Sequence, residues 1–171
     1  MPPLIPTSFS SAFRQLFWHP VTPNLNLCGS SRPKYLSSSS FASGDWACHQ
    51  LEHELSALFD VAHGAGLAAL WGSWARYVYK ENVTRFAQFA VNVMGVTNDF
   101  KSPEHTALAG IEAMEDFFRS IHMPTNLREL GLDLTDEQIH ELAFKCSFED
   151  TRTIGVFKQL NMKDMEKIYL A

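Results

Sequence analysis

From residue 44 onward apolar residues recur with a helical period, and no segment alternates with the period of two that marks a strand. The first predicted helix runs over 44–59. A second, Gly64 to Lys80 (GAGLAALWGSWARYVYK), is apolar nearly all round, as a buried helix should be. Phe86, Phe89, Ala90, Val93 and Met94 then recur at helical spacing and stop at Gly95, a natural C-cap. Ser102-Pro103-Glu104 supplies an N-cap, a first-turn proline and an early acid, and so opens another helix. Its expected buried stripe is Leu108, Ile111, Met114, Phe117, Phe118 and Ile121, with Pro124 just beyond its end. Thr135-Asp136-Glu137-Gln138 fits a capping box that opens a helix through about Ser147. A last short helix is expected over Asp164 to Leu170. The pattern predicts an all-α bundle with no internal repeat.

Composition divides the chain near residue 40. Residues 1–44 hold no Asp or Glu and three basic residues, Arg14, Arg32 and Lys34, for a charge of +3. The remainder carries eleven basic against nineteen acidic residues, or −8. Six of the eight prolines and nine serines fall in the first 40 positions, a density that blocks helix and central strand alike. The expected organisation is a poorly ordered Ser/Pro-rich arm over 1–40 and a helical domain over 41–171. A transit peptide is also basic and acid-poor, but these prolines oppose the amphipathic helix it needs. The net charge of −5, with no basic run longer than a dipeptide, argues against nucleic acid as the main partner. No uninterrupted apolar stretch approaches 18 residues, so no membrane-spanning helix is expected. Three scattered cysteines (Cys28, Cys48, Cys146) do not make a disulfide framework, and a reducing cytoplasm is the expected compartment.

The stretch Asp45 to Gly66, DWACHQLEHELSALFDVAHGAG, concentrates the candidate chemistry. His49 and His53 lie four residues apart, within about 40° of each other on a helix. Leu51, Leu55 and Leu58 point to the opposite face. His63 falls after the helix should end, and a helix–turn–helix return would bring it back beside the first pair. Such imidazoles suit a divalent metal of the iron–zinc type, although two histidines at this spacing also arise by chance on a solvated face. His49-Gln50-Leu51-Glu52-His53 also fits H-x-x-E-H, in which two histidines bind zinc and the glutamate activates water. A peptidase of that kind needs a further glutamate ligand, for which Glu112 and Glu115 are the candidates. Asp45 with His49 fits a D-x-x-x-H ligand pair, but reads more simply as a helix N-cap.

Gly44-Asp45-Trp46-Ala47, His49-x-x-x-His53-Glu54-Leu55-Ser56-Ala57 and Asp60-Val61-x-His63-Gly64-Ala65-Gly66-Leu67 together resemble the iron-containing alcohol dehydrogenases, in their butanol dehydrogenase-like branch. Trp74 to Lys80, Phe86-Ala87, Ile121-x-x-Pro124, Glu129-Leu130-Gly131 and Asp164-Met165-x-x-Ile168-Tyr169 extend the resemblance over about residues 41–171. It implies the all-α C-terminal metal domain of the dehydroquinate synthase-like fold. It further implies NAD(P)-dependent interconversion of short-chain alcohols and aldehydes at Fe2+ or Zn2+. His49 and His63 match two metal ligands, and His53 matches a histidine close to substrate that serves in proton relay. The family's other D-x-x-x-H ligand pair and its nucleotide-binding domain lie upstream, and no acid here precedes Asp45. Gly64-Ala65-Gly66 follows a helix rather than a strand and does not replace the phosphate loop. The expectation is therefore a truncated fragment with an incomplete ligand set, inactive alone. Its macromolecular partner would be a second copy or a complementing cofactor-domain chain. The competing expectation is a catalytically silent helical interaction module.

Overall fold

The computed structural model describes residues 44–171, and the predicted arm over 1–40 lies outside the described residues. Six α-helices follow in order: α1 (Ala47–Phe59), α2 (His63–Val78), α3 (Val83–Asn92), α4 (Pro103–Ser120), α5 (Asp136–Cys146) and α6 (Met162–Leu170). A 3₁₀ turn over Tyr79–Asn82 joins α2 to α3. The described residues contain no strand, only an isolated antiparallel bridge between Ile154 and Leu160. The fold is all-α, as the periodicity requires.

Local chemistry explains most helix limits. Ser102 caps α4 by accepting from the His105 amide, with Pro103 in the first turn. Thr135 and Gln138 close the capping box of α5. Gly95 takes φ +70° just beyond α3, a left-handed position that glycine adopts without steric cost. Three starts differ from expectation, that of α2 by one residue, at His63 rather than Gly64. The first helix begins at Ala47, with Trp46 rather than Asp45 in the cap position. The last begins two residues before Asp164, since Asn161 is its cap: the Asn161 side chain accepts from the Asp164 amide, and the Asp164 carboxylate accepts from the Asn161 amide.

The core is built around α2, whose Leu70, Trp71, Trp74, Ala75 and Val78 are all buried. Trp74, Phe86 and Phe157 form a triangle of rings with centroids 5.2–6.4 Å apart, a spacing that favours tilted and edge-on pairs. The stripe of α4 is rotated from the predicted one. Ile111, Met114 and Phe118 are buried, but Leu108 and Ile121 are each 37% exposed and Phe117 is half-buried. Ala107, Gly110 and Glu115 turn inward instead. The reason is steric. A Cβ on Gly110 would lie 2.7 Å from the Ala90 Cα, so α3 and α4 meet where neither carries bulk.

Two side chains fasten α6 to the helices that precede it. The Tyr169 hydroxyl, buried, donates to the Leu51 carbonyl of α1 at 2.7 Å. Tyr77 of α2 donates to Asp164 at 2.5 Å, and Lys158 stands 3.8 Å from the same carboxylate. Burial pushes the Tyr77 phenol up to about 12, with its bond to Asp164 adding to the effect. Burial alone would raise the Asp164 carboxyl. The bonds from Tyr77 and Asn161, with the charges of Lys158 and Lys167, outweigh it and hold the group below the usual carboxylate range.

Gly110→Ala, which would gain about 1 kcal/mol in an open helix, is expected to lose about 1–2 kcal/mol in urea unfolding, because the Ala90 backbone has to move. Ionised Asp164 contributes stability above its unfolded value near 4 that is lost as pH falls through the lower folded value. Unfolding free energies of wild type and Asp164→Asn should therefore differ most at neutral pH and converge as pH falls below the folded value of Asp164.

Candidate metal centre

The turn between α1 and α2 sets the geometry. Asp60 ends α1 in the left-handed conformation, φ 52°, and its amide closes on the Ser56 carbonyl at 3.0 Å. Only Val61 and Ala62 intervene before His63 opens α2. His63 is thus the first residue of the second helix, not a loop residue, and the short return folds it onto α1. Its ring lies 5.6 Å from that of His49 and 5.3 Å from that of His53, centroid to centroid. The three histidines that the sequence singles out are brought together.

Their surroundings differ. His53 is exposed, and the His63 side chain is 49% exposed. His49 is half-buried with the Trp46 ring edge-on at 4.9 Å. Burial first, then the neighbouring His63 and His53, lowers the His49 pKa against the opposing pull of Glu52. Its imidazole is therefore neutral at physiological pH, the form in which a ring nitrogen binds a metal. Clustered imidazoles at the mouth of a helical hairpin are a donor set that fits a borderline divalent cation, iron or zinc.

Glu52 is the residue that periodicity did not predict. It is fully buried, and one oxygen meets His63 Nδ1 while the other meets the Ser56 hydroxyl. That hydroxyl also lies 3.1 Å from the Val61 carbonyl, so it links the carboxylate to the turn. Gly66 makes room: a Cβ there would lie 2.8 Å from Glu52 Cγ. Glu52, His53 and His63 each offer one donor atom within 4.8 Å of the others. A signal existed in the sequence. Glu52 sits about 60° from Leu55 on the helix, on the edge of the apolar stripe, with a glycine three residues beyond His63.

The H-x-x-E-H peptidase reading fails on this geometry. A glutamate that activates water has to face solvent, and Glu52 is 0% exposed with both oxygens engaged. Neither candidate for the further ligand joins the histidines among the described residues. Glu112 is exposed, and Glu115 is buried in a two-pronged pair with Arg76, one arm at 2.7 Å. Gly64-Ala65-Gly66 forms the first turn of α2, and Gly66 is packed against Glu52. This segment is therefore a helix start packed on a carboxylate and not a phosphate-binding loop.

Residues 33–171 match the model of the Fe-containing alcohol dehydrogenase family, C-terminal. The chain belongs to the iron-containing alcohol dehydrogenase family. It is 39% identical over 130 residues to a probable NADH-dependent butanol dehydrogenase of Bacillus subtilis, covering 76% of this chain and 33% of that protein. It is 31% identical over 125 residues to NADH-dependent butanol dehydrogenase A of Clostridium acetobutylicum, covering 72% and 31%. The crystal structure of a NADH-dependent butanol dehydrogenase A from Thermotoga maritima superposes with a TM-score of 0.67 at 31% identity, over 77% of this chain and 35% of that one. The chain spans about a third of the length of these iron-type dehydrogenases. Its helical bundle is the C-terminal helical domain of the family. No helix among the described residues is long and apolar enough to cross a membrane.

Because the αL turn at Asp60 aims His63 at α1, Asp60→Val is expected to lose about 1–2 kcal/mol in urea unfolding while Asp60→Gly is neutral or stabilising. Equal losses in both variants would mean that the side chain of Asp60, not its backbone conformation, matters.

Proposed function

We propose that this chain supplies the metal-binding part of a nicotinamide-dependent oxidoreductase that interconverts short-chain alcohols and aldehydes, butanol and butanal being the test pair. The observation that carries the reading is the convergence of His49, His53 and His63 across the α1–α2 turn in a chain of this family. His49 and His63 hold the metal. His49 does so as a neutral ring kept from protonation by burial and by its two histidine neighbours. A metal held there would supply Lewis-acid polarisation of a carbonyl oxygen or stabilisation of an alkoxide.

His53 has a different task. It is exposed and, unlike His63, has no bond to the buried Glu52, so its ring faces the space that substrate enters and exchanges protons with water. It accepts the proton of an alcohol or returns one to the alkoxide. Trp46, 40% exposed and edge-on to His49, gives the same mouth an apolar wall suited to a short alkyl chain. Two imidazoles leave a metal site half made, and by family resemblance a further Asp and His complete it. These donors, and the nicotinamide site, are supplied by another polypeptide segment. Domain limits of 1–40 for the arm and 41–171 for the helical part remain part of this proposal.

Co2+ or Zn2+ titration by calorimetry tests the ligands. His49→Ala and His63→Ala should each weaken binding by at least about tenfold without loss of helical circular dichroism. NADH- or NADPH-dependent reduction of butanal should require a complementing nucleotide-binding segment and should fall in His53→Ala while metal binding stays. Metal affinity unchanged in both ligand variants would sink the assignment. Absence of both metal binding and complemented activity would favour a silent interaction module.

A further inference from the structure

Glu52 has no part in the reaction as described, yet it is the most completely enclosed acid of the helical hairpin. A carboxylate accepts hydrogen bonds and donates none, so the ring nitrogen it meets, His63 Nδ1, carries the proton. The lone pair of His63 is then left on Nε2, the nitrogen away from Glu52. Ser56 holds the second carboxylate oxygen, and the bare Gly66 backbone lets the side chain lie flat between α1 and α2. These contacts fix Glu52 from three sides. The ring it fixes is half-exposed and would otherwise rotate and exchange tautomers freely.

We infer that Glu52 is a positioning residue for His63: it holds the imidazole in the Nδ1–H tautomer and aims Nε2 at the metal. The inference rests on the reading of His63 as a ligand, and it adds a role that no spacing motif assigns. Burial favours the role, because each Glu52 oxygen is already engaged by a protein group and the side chain is closed off from water. A carboxylate behind a ligating histidine raises the basicity of the ring and restricts its orientation, and loss of such a partner costs about 10- to 100-fold in metal affinity. Gly66 belongs to the same device, since a methyl group there displaces the carboxylate.

Histidine ring nitrogen NMR on the metal-free chain reads the tautomer directly. The wild type should show His63 as the Nδ1–H form, and Glu52→Ala should release it to a mixture dominated by Nε2–H. Should Glu52→Ala fail to fold, Gly66→Ala tests the same contact by pushing the carboxylate aside, and should release the tautomer likewise. Zn2+ affinity measured by calorimetry should fall about 10- to 100-fold in Glu52→Gln, with the enthalpy of the remaining binding still abolished by His63→Ala. An Nε2–H tautomer in the wild type overturns the inference, as does a tautomer that ignores both variants. If Zn2+ affinity depends on His63 but not on Glu52, the ligand reading stands and the positioning role falls. If it depends on neither, the ligand reading itself is wrong.

Discussion

A single buried carboxylate organises the hairpin on which the candidate chemistry stands. Glu52 lies wholly out of water between α1 and α2, and burying a charge there is tolerable only with hydrogen-bond partners close at hand. Ser56 and His63 are those partners, one from each side of the turn. Their positions constrain everything between them. The connection has to be short, so α1 ends in a left-handed residue and α2 starts three residues later. The helices have to approach closely, so position 66 has no side chain. Removing one partner would leave the charge uncompensated, which ties the integrity of the turn to the orientation of the histidine it delivers.

The remainder of the bundle serves to hold that hairpin still. Tyr169 reaches from α6 to a backbone carbonyl of α1 one residue before Glu52, and Tyr77 with Asp164 joins α2 to the cap of the same helix. The two arms of the hairpin are therefore braced by one C-terminal element. Arg76 and Glu115 tie α2 to α4 in a similar way, beneath Gly72, where a Cβ would lie 3.0 Å from the Glu115 carboxyl carbon. Three helix contacts thus depend on a glycine: Gly66 and Gly72 under a carboxylate, and Gly110 under the Ala90 backbone. Such places need small residues and explain why the apolar stripes alone do not describe the packing.

Much of this was legible in the chain. Helical periodicity, the Ser102-Pro103-Glu104 start, the Thr135 capping box and the glycine stop at 95 depend on local interactions, and local interactions are written in adjacent residues. The return of His63 toward His49 and His53 was legible too, because a short break between two helices leaves little choice but reversal. What escaped was non-local. The rotated stripe of α4 follows from its contact with Ala90 on another helix, and the burial of Glu52 follows from a glycine 14 positions away. A pattern that ranks residues by polarity places a glutamate in water, and only a partner across the turn reverses that.

The proposed site for a divalent cation is the three-histidine mouth rather than any other part of the described chain. The molecule carries its own comparison, since His105 beside Asp99 and His140 beside Glu166 are exposed histidine–acid pairs remote in sequence from the hairpin. Paramagnetic broadening of assigned histidine ring signals during Co2+ titration tests the claim most directly. Rings 49, 53 and 63 should broaden first, at Co2+ concentrations that leave 105 and 140 sharp. Simultaneous broadening of all five, or earlier loss of His105 or His140, would contradict it.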